Sequence, residues 1–212
     1  MPELAAWSIF LVPLLSFVLI VVLRPILGPS NRLSGRITVA AMVAAFALAL
    51  TALAATISED GHDLGYQTHA WIEVGSLTIN VGIVMDSLTA TMVAVIAGVS
   101  LLIQIYGQEY MRGDSSYSRY YAMMSLFTAA MLGLVMASNL VLLYVFWEMV
   151  GLSSYLLIGH WHDRTAAANA AKKAFIVTRL GDLGLLIGIV WAFVATGTFE
   201  ISELHEMAAA GT

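Results

Sequence analysis

Six stretches of mostly apolar residues recur along this chain, each long enough to cross a bilayer: Leu4–Leu23, Ile37–Ile57, Val84–Tyr106, Tyr121–Ala137, Leu140–Ile158 and Ala174–Ala195. A hydrocarbon core about 30 Å thick takes roughly 20 helical residues at about 1.5 Å each. The fourth stretch is the shortest. Only Ser138-Asn139, a pair that suits a tight turn, separates it from the fifth. Hydrophobic residues make up 60% of the chain and charged residues 11%, whereas a water-soluble domain carries roughly a quarter charged. The expectation is an all-α membrane protein of six transmembrane helices.

The charges predict its orientation. Arg24, Arg32 and Arg36 follow the first span, Arg112 and Arg119 the third, and Arg164, Lys172 and Lys173 the fifth; Arg179 opens the sixth. The opposite loops carry Glu59, Asp60, Asp63 and Glu73, then Glu200, Glu203 and Glu206, with no basic residue. By the positive-inside rule both termini lie outside the cytoplasm, or outside the matrix of an organelle. Leu4–Leu23 lacks a basic flank and a cleavage site, so it reads as a retained span and not as a signal peptide. With no cysteine, disulfides and thiolate metal sites are excluded. A net charge of −5 offers no basic patch to nucleic acid. Residues 1–120 thus hold three leading helices, with an outer connection at about 58–82 in which Tyr66, Trp71, Ile72, Val74, Leu77 and Ile79 suit a short surface hairpin. Residues 121–196 hold three more helices, and 197–212 an outer loop or short surface helix.

Glu148 stands near the centre of the fifth span. A charged side chain at mid-bilayer costs at least ~2.5–3.5 kcal/mol on insertion scales, so such residues face a bundle interior or a wet cavity. Low dielectric disfavours a carboxylate and a nearby cation favours it; that tunability is what proton relay requires. The alternative is a neutral carboxyl that only ties helices together. Gly151, Ser153 and Ser154 on the same helix suit close polar packing, and Trp147 is expected to be packing bulk.

A second constellation opens the sixth span. Lys172 and Arg179 are seven apart and Arg179 and Asp182 three apart, so the three share one helix face. Arg179 and Asp182 can pair, which lowers the cost of holding both in the membrane. With Lys172 they form a string that could admit protons toward Glu148. Lys173 is a weaker candidate and suits a headgroup anchor. His160 and His162 are weaker candidates as well: their intrinsic pKa allows proton uptake, and their position suits plain interface residues. With Asp163 they make a poor metal signal, and no metal site is expected. Asp86 stands where a helix N-cap belongs. The tract Tyr106–Tyr121 reads as a charged surface loop that contacts a neighbour.

The segments MDSLTATM (85–92), YMRGDSSYSRYYA (110–122), FWEMVGLSSYLLIGHW (146–161) and KAFIVTRLGDLG (173–184) resemble the largest antiporter-like membrane subunit of respiratory complex I, the NuoL type of NADH-quinone oxidoreductase. Subunits of multisubunit cation/proton antiporters and membrane-bound hydrogenases share the Trp-Glu and Lys-Ala-Phe segments. The resemblance implies proton translocation coupled to electron transfer from NADH to quinone in partner subunits, the adjacent antiporter-like subunits among them. It places the family's membrane glutamate on Glu148 and its Arg/Asp pair on Arg179 and Asp182. It implies no flavin, iron–sulfur or quinone site in this chain, and a bacterial plasma membrane as its home, with an organellar inner membrane as the alternative.

Family members have about fourteen helices in two inverted five-helix repeats after three leading helices. The resemblance therefore makes these 212 residues the first part of a longer or split subunit, with residues 121–196 as the first three helices of one repeat. A lysine partner for Glu148 is implied on a later helix, and the piece alone is expected not to translocate protons. Two other functions stand beside this one: a subunit of a Na⁺/H⁺ antiporter, and a structural or assembly subunit whose membrane charges only hold helices together.

Overall fold

The computed structural model describes residues 1–58, 63–74 and 77–211. Six long helices cross the apolar layer: α1 (Glu3–Leu27), α2 (Leu33–Ser58), α3 (Ser87–Tyr110), α4 (Tyr117–Met136), α5 (Leu140–Ile158) and α6 (Thr165–Thr196). A two-stranded antiparallel hairpin, β1 (His69–Val74) and β2 (Leu77–Val81), precedes α3, and a short helix, α7 (Ile201–Ala210), follows α6. Of the two acidic outer loops, Glu59 and Asp60 lie outside the described residues.

The core lies among α1, α2, α3 and α4. Ala45, Ala49 and Ala52 on α2 and Ala90, Ala94 and Ala97 on α3 are buried at helical spacing, which lets the two backbones approach closely. Ile9, Phe10, Met42, Val93 and Leu132 fill the layers above and below. Because α4 packs against α1, α2, α3 and α5, its hydroxyls can stay in the membrane without facing lipid. Ser125 shares a 2.8 Å hydrogen bond with Ser16, and Thr128 sits 3.3 Å from Ser100.

That enclosure moves the α4 boundary. The helix begins at Tyr117 rather than Tyr121, because Tyr117 and Ser118 are buried and Ser118 N–H donates to Pro29 O. With α3 running to Tyr110, only Met111–Ser116 of the expected surface loop is irregular. The sixth helix also starts early, at Thr165 rather than Ala174. Its opening TAAANAAKK is rich in strong helix formers, and 32 residues span about 48 Å, well beyond a hydrocarbon core. Lys172 and Lys173 therefore ride on α6 itself.

Polar caps stitch the opposite end. Asp86 caps α3 by accepting from Thr89 N–H at 2.8 Å. Asn139 caps α5 by accepting from Leu142 N–H at 2.8 Å, and its amide donates to Asn80 O at 2.7 Å. Leu140 N–H donates to Phe199 O and Ile201 N–H to Ser138 O, so the α4–α5 turn holds the start of α7.

Candidate functional site in the α5–α6 membrane layer

Glu148 is the ninth residue of α5, which puts it about 12 Å along the helix from its N-terminus. Its carboxyl contacts the Arg179 guanidinium directly. Arg179 Nη2 also donates to the Glu148 carbonyl at 3.1 Å, and Nη1 lies 3.6 Å from Asp182 Oδ2. Trp147 Nε1 donates to the other Asp182 oxygen at 2.8 Å. Arg179 thus bridges two carboxylates, one on each helix.

Local sequence makes this bridge possible. The i, i+3 spacing on α6 aligns Arg179 with Asp182. Phe175, one turn earlier, lies under the guanidinium at 4.9 Å from its centroid, a cation–π contact. Gly151 clears the path on α5: a Cβ there would stand 2.9 Å from Arg179 Nη2. Asp182 is buried, whereas the Glu148 and Arg179 side chains are each about a quarter exposed, at 27% and 26%. They line an open cavity of about 390 Å³ with Tyr144, Ile176 and Leu183.

Two carboxylates share one guanidinium. With all three ionised, the cluster carries one net negative charge, and no other cation among the described residues pairs with it.

The other sequence candidates fall elsewhere. Lys172 sits about two turns from Arg179 on α6; both it and Lys173 are exposed, and their side chains have no ion pair or hydrogen bond among the described residues. Lys172 lines a separate cavity of about 330 Å³ with Arg119, Tyr155 and His162. His160 is no simple interface residue, because its ring is buried, 3.4 Å from Asp114 Oδ1 and edge-on to Tyr120. Arg119 donates to the His160 carbonyl and lies 3.3 Å from His162 Nδ1. No group of three His, Cys, Asp or Glu side chains among the described residues could hold a metal ion.

The basic-end loops have their own electrostatics. Burial pushes the His160 imidazole below its ordinary pKa; Asp114 opposes this and Arg119 adds to it. Burial pushes the Asp114 carboxyl up, but hydrogen bonds from Trp161 and Ser116 N–H, with the His160 charge, outweigh it and leave the pKa lowered. Asp114, Arg119 and Trp147 were not legible as partners in the sequence. Trp147 is more than packing bulk, since its N–H holds Asp182; the available signal was that a tryptophan in a membrane interior needs an acceptor.

Two family models match the chain. Residues 71–121 match the N-terminus of chain 5 of NADH-ubiquinone oxidoreductase (complex I), and residues 137–212 match the transmembrane region of the NADH:quinone oxidoreductase/Mrp antiporter family. The chain belongs to this family. NAD(P)H-quinone oxidoreductase chain 5 of Synechocystis is 48% identical over 146 residues, 69% of this chain and 21% of that protein. The chloroplast subunit 5 of Anthoceros angustus is 38% identical over 204 residues, 95% of this chain and 28% of that protein. The chain therefore spans less than a third of the length of these relatives. A subunit of an archaeal membrane-bound sulfane sulfur reductase shares the fold, with a TM-score of 0.79 over 98% of this chain and 40% of that one at 23% identity. The helices are thus the first part of an antiporter-like family fold, in a multi-pass membrane protein.

Proposed function

We propose that the chain forms the leading part of a proton-translocating membrane subunit of NADH:quinone oxidoreductase, of the NuoL type, in a bacterial plasma membrane. The observation that carries this reading is the Arg179 bridge between Glu148 and Asp182 inside the membrane layer. Glu148 is the relay carboxyl. Arg179 and Asp182 set its charge balance, and Lys172 admits protons from the basic, cytoplasmic end. His160 and His162 belong to the loop at that end, and Lys173 anchors α6 at the headgroups. A proton arriving through water between α5 and α6 neutralises the surplus negative charge. A cation supplied by a later part of the subunit would release it. Moving one charge through 100 mV takes about 2.3 kcal/mol, a scale that one pairing change in low dielectric meets. Redox chemistry, with its flavin, iron–sulfur clusters and quinone, belongs to partner subunits.

Native electrophoresis of mildly solubilised source membranes tests the assignment. Detection of this chain in one very large band that oxidises NADH is the expected result. A smaller band without NADH activity, together with sodium-dependent proton exchange, would replace it with the second reading, a Na⁺/H⁺ antiporter subunit. That reading draws support from the Mrp antiporters included in the family model that matches 137–212.

A further inference from the structure

The turn at residues 159–164 joins the helix that carries Glu148 to the helix that carries Arg179 and Asp182. It is gripped by the α3–α4 loop and the first turn of α4. Trp161 Nε1 donates to Asp114 Oδ2 at 2.8 Å, and the His160 ring nitrogen Nε2 lies 3.4 Å from Asp114 Oδ1. Arg119 donates to the His160 carbonyl, just past the end of α5, where helix carbonyls lack intrahelical partners. Asp114 is itself held in place: Ser116 N–H donates to its Oδ1 at 2.7 Å, and its side chain is largely buried. A carboxylate and a guanidinium from one side of the turn thus hold two consecutive residues on the other.

The turn passes this grip on to α6. A Cβ at Gly159 would stand 3.3 Å from Ala171 Cβ, so α6 runs close against the turn. Ala171 is about two helical turns before Arg179 on the same helix. Sliding α6 by one residue would move Arg179 about 1.5 Å along the axis and swing it about 100° around it, away from Glu148. An irregular connection sets no such register by itself; fixed contacts to the rest of the bundle do. We propose that Asp114, acting through Trp161 and His160, is a positioning residue for the proton relay: with Arg119 it clamps the α5–α6 turn and fixes the register in which Arg179 meets Glu148. This inference rests on the relay reading of Glu148 and adds to it a residue outside the membrane layer.

The test measures protons translocated per electron in inverted vesicles that carry the intact complex with the full-length subunit, normalised to assembled complex. Trp161→Phe deletes the indole N–H and keeps an aromatic ring under Arg164. It should cause about half the loss in this ratio that Glu148→Gln causes. Asp114→Ala should lose at least as much, and Asp114→Asn, which keeps an acceptor for the indole, should stay near wild type. Trp161→Phe/Asp114→Ala should lose no more than Asp114→Ala, because both changes break one contact. Glu109→Gln, in the exposed pair with Arg112 beside the same loop, should leave the ratio unchanged. A role confined to stability would reduce the amount of assembled complex and leave the ratio per complex intact; that result would overturn the proposal. So would additive losses in the double variant, or a loss in Asp114→Asn as large as in Asp114→Ala. If the Asp114 variants fail to assemble, Trp161→Phe decides alone, and a wild-type ratio refutes the clamp. The relay reading fails separately, when Glu148→Gln itself leaves the ratio unchanged.

Discussion

Replacing Arg179 with alanine removes the one cation that the described residues place against Glu148 and Asp182. Two carboxyls then face each other across α5 and α6 with no counter-charge. Removing one partner of a buried ion pair costs about 3–5 kcal/mol. The Glu148 and Arg179 side chains are not fully enclosed, at 27% and 26% exposed, so the lower end, about 3 kcal/mol, applies. That is roughly a hundredfold in the ratio of correctly packed to mispacked subunit. The readout is the fraction of subunit in the assembled complex on native gels and its melting temperature in mild detergent. Removing all three charges in Arg179→Ala/Glu148→Gln/Asp182→Asn should recover most of the lost assembly, because no uncompensated charge remains, while proton translocation stays lost. If Arg179→Ala assembles and melts like wild type, Glu148 and Asp182 do not depend on this guanidinium and the reasoning fails. If the triple variant is as unstable as the single one, the cost lies in lost packing and not in unpaired charge.

Further consequences concern the surroundings of this bridge. Trp147→Phe removes the donor to Asp182 and should cost about 1.5–3 kcal/mol, read as a lower melting temperature and weaker proton translocation. Gly151→Leu would fill the space beside Arg179 Nη2 and should reproduce part of the Arg179→Ala defect in assembly without changing any charge. Asp86→Ala deletes the cap of α3, at about 0.5–2 kcal/mol, and should lower the melting temperature while leaving the proton stoichiometry per electron unchanged. His160 has a folded pKa depressed below its ordinary 6.5 by burial, so the unfolded state binds the extra proton as pH drops. Its stabilising contribution is complete above about pH 6.5 and declines as pH falls from there toward the folded value. Wild-type melting temperature should fall on acidification from about pH 7.5 to 5.5, and His160→Gln should flatten that slope; equal slopes would contradict the burial argument.

The spans were legible because lipid solvates them: apolar length alone located all six, and α5 matches its expected limits of Leu140–Ile158. The misplaced ends have two causes. Hydropathy reads a side chain's polarity and not its environment, so Tyr117 and Ser118, buried against the α1–α2 connection, looked like loop residues. The alanine-rich start of α6 looked like a loop because it leaves the membrane, although its helix propensity carries it on. At the site, Arg179 and Asp182 were readable as a pair from their spacing within one helix. The cross-helix contact to Glu148 was not, because no intra-helix period reports which faces of α5 and α6 meet. The structure puts Arg179 against Glu148; the lysine partner that the resemblance implies belongs to a later helix beyond these 212 residues. Trp147 on Asp182 and Arg119 on the His160 carbonyl were hidden for the same reason.

The central claim is that Glu148 relays protons in a redox-driven complex. Its most direct test is NADH-driven acidification of inverted membrane vesicles carrying Glu148→Gln in the full-length subunit, measured with the electron-transfer rate of the same vesicles and the amount of assembled complex. Full assembly with proton translocation abolished or sharply reduced per electron is the predicted result. An unchanged proton-to-electron ratio in a fully assembled complex would contradict the account.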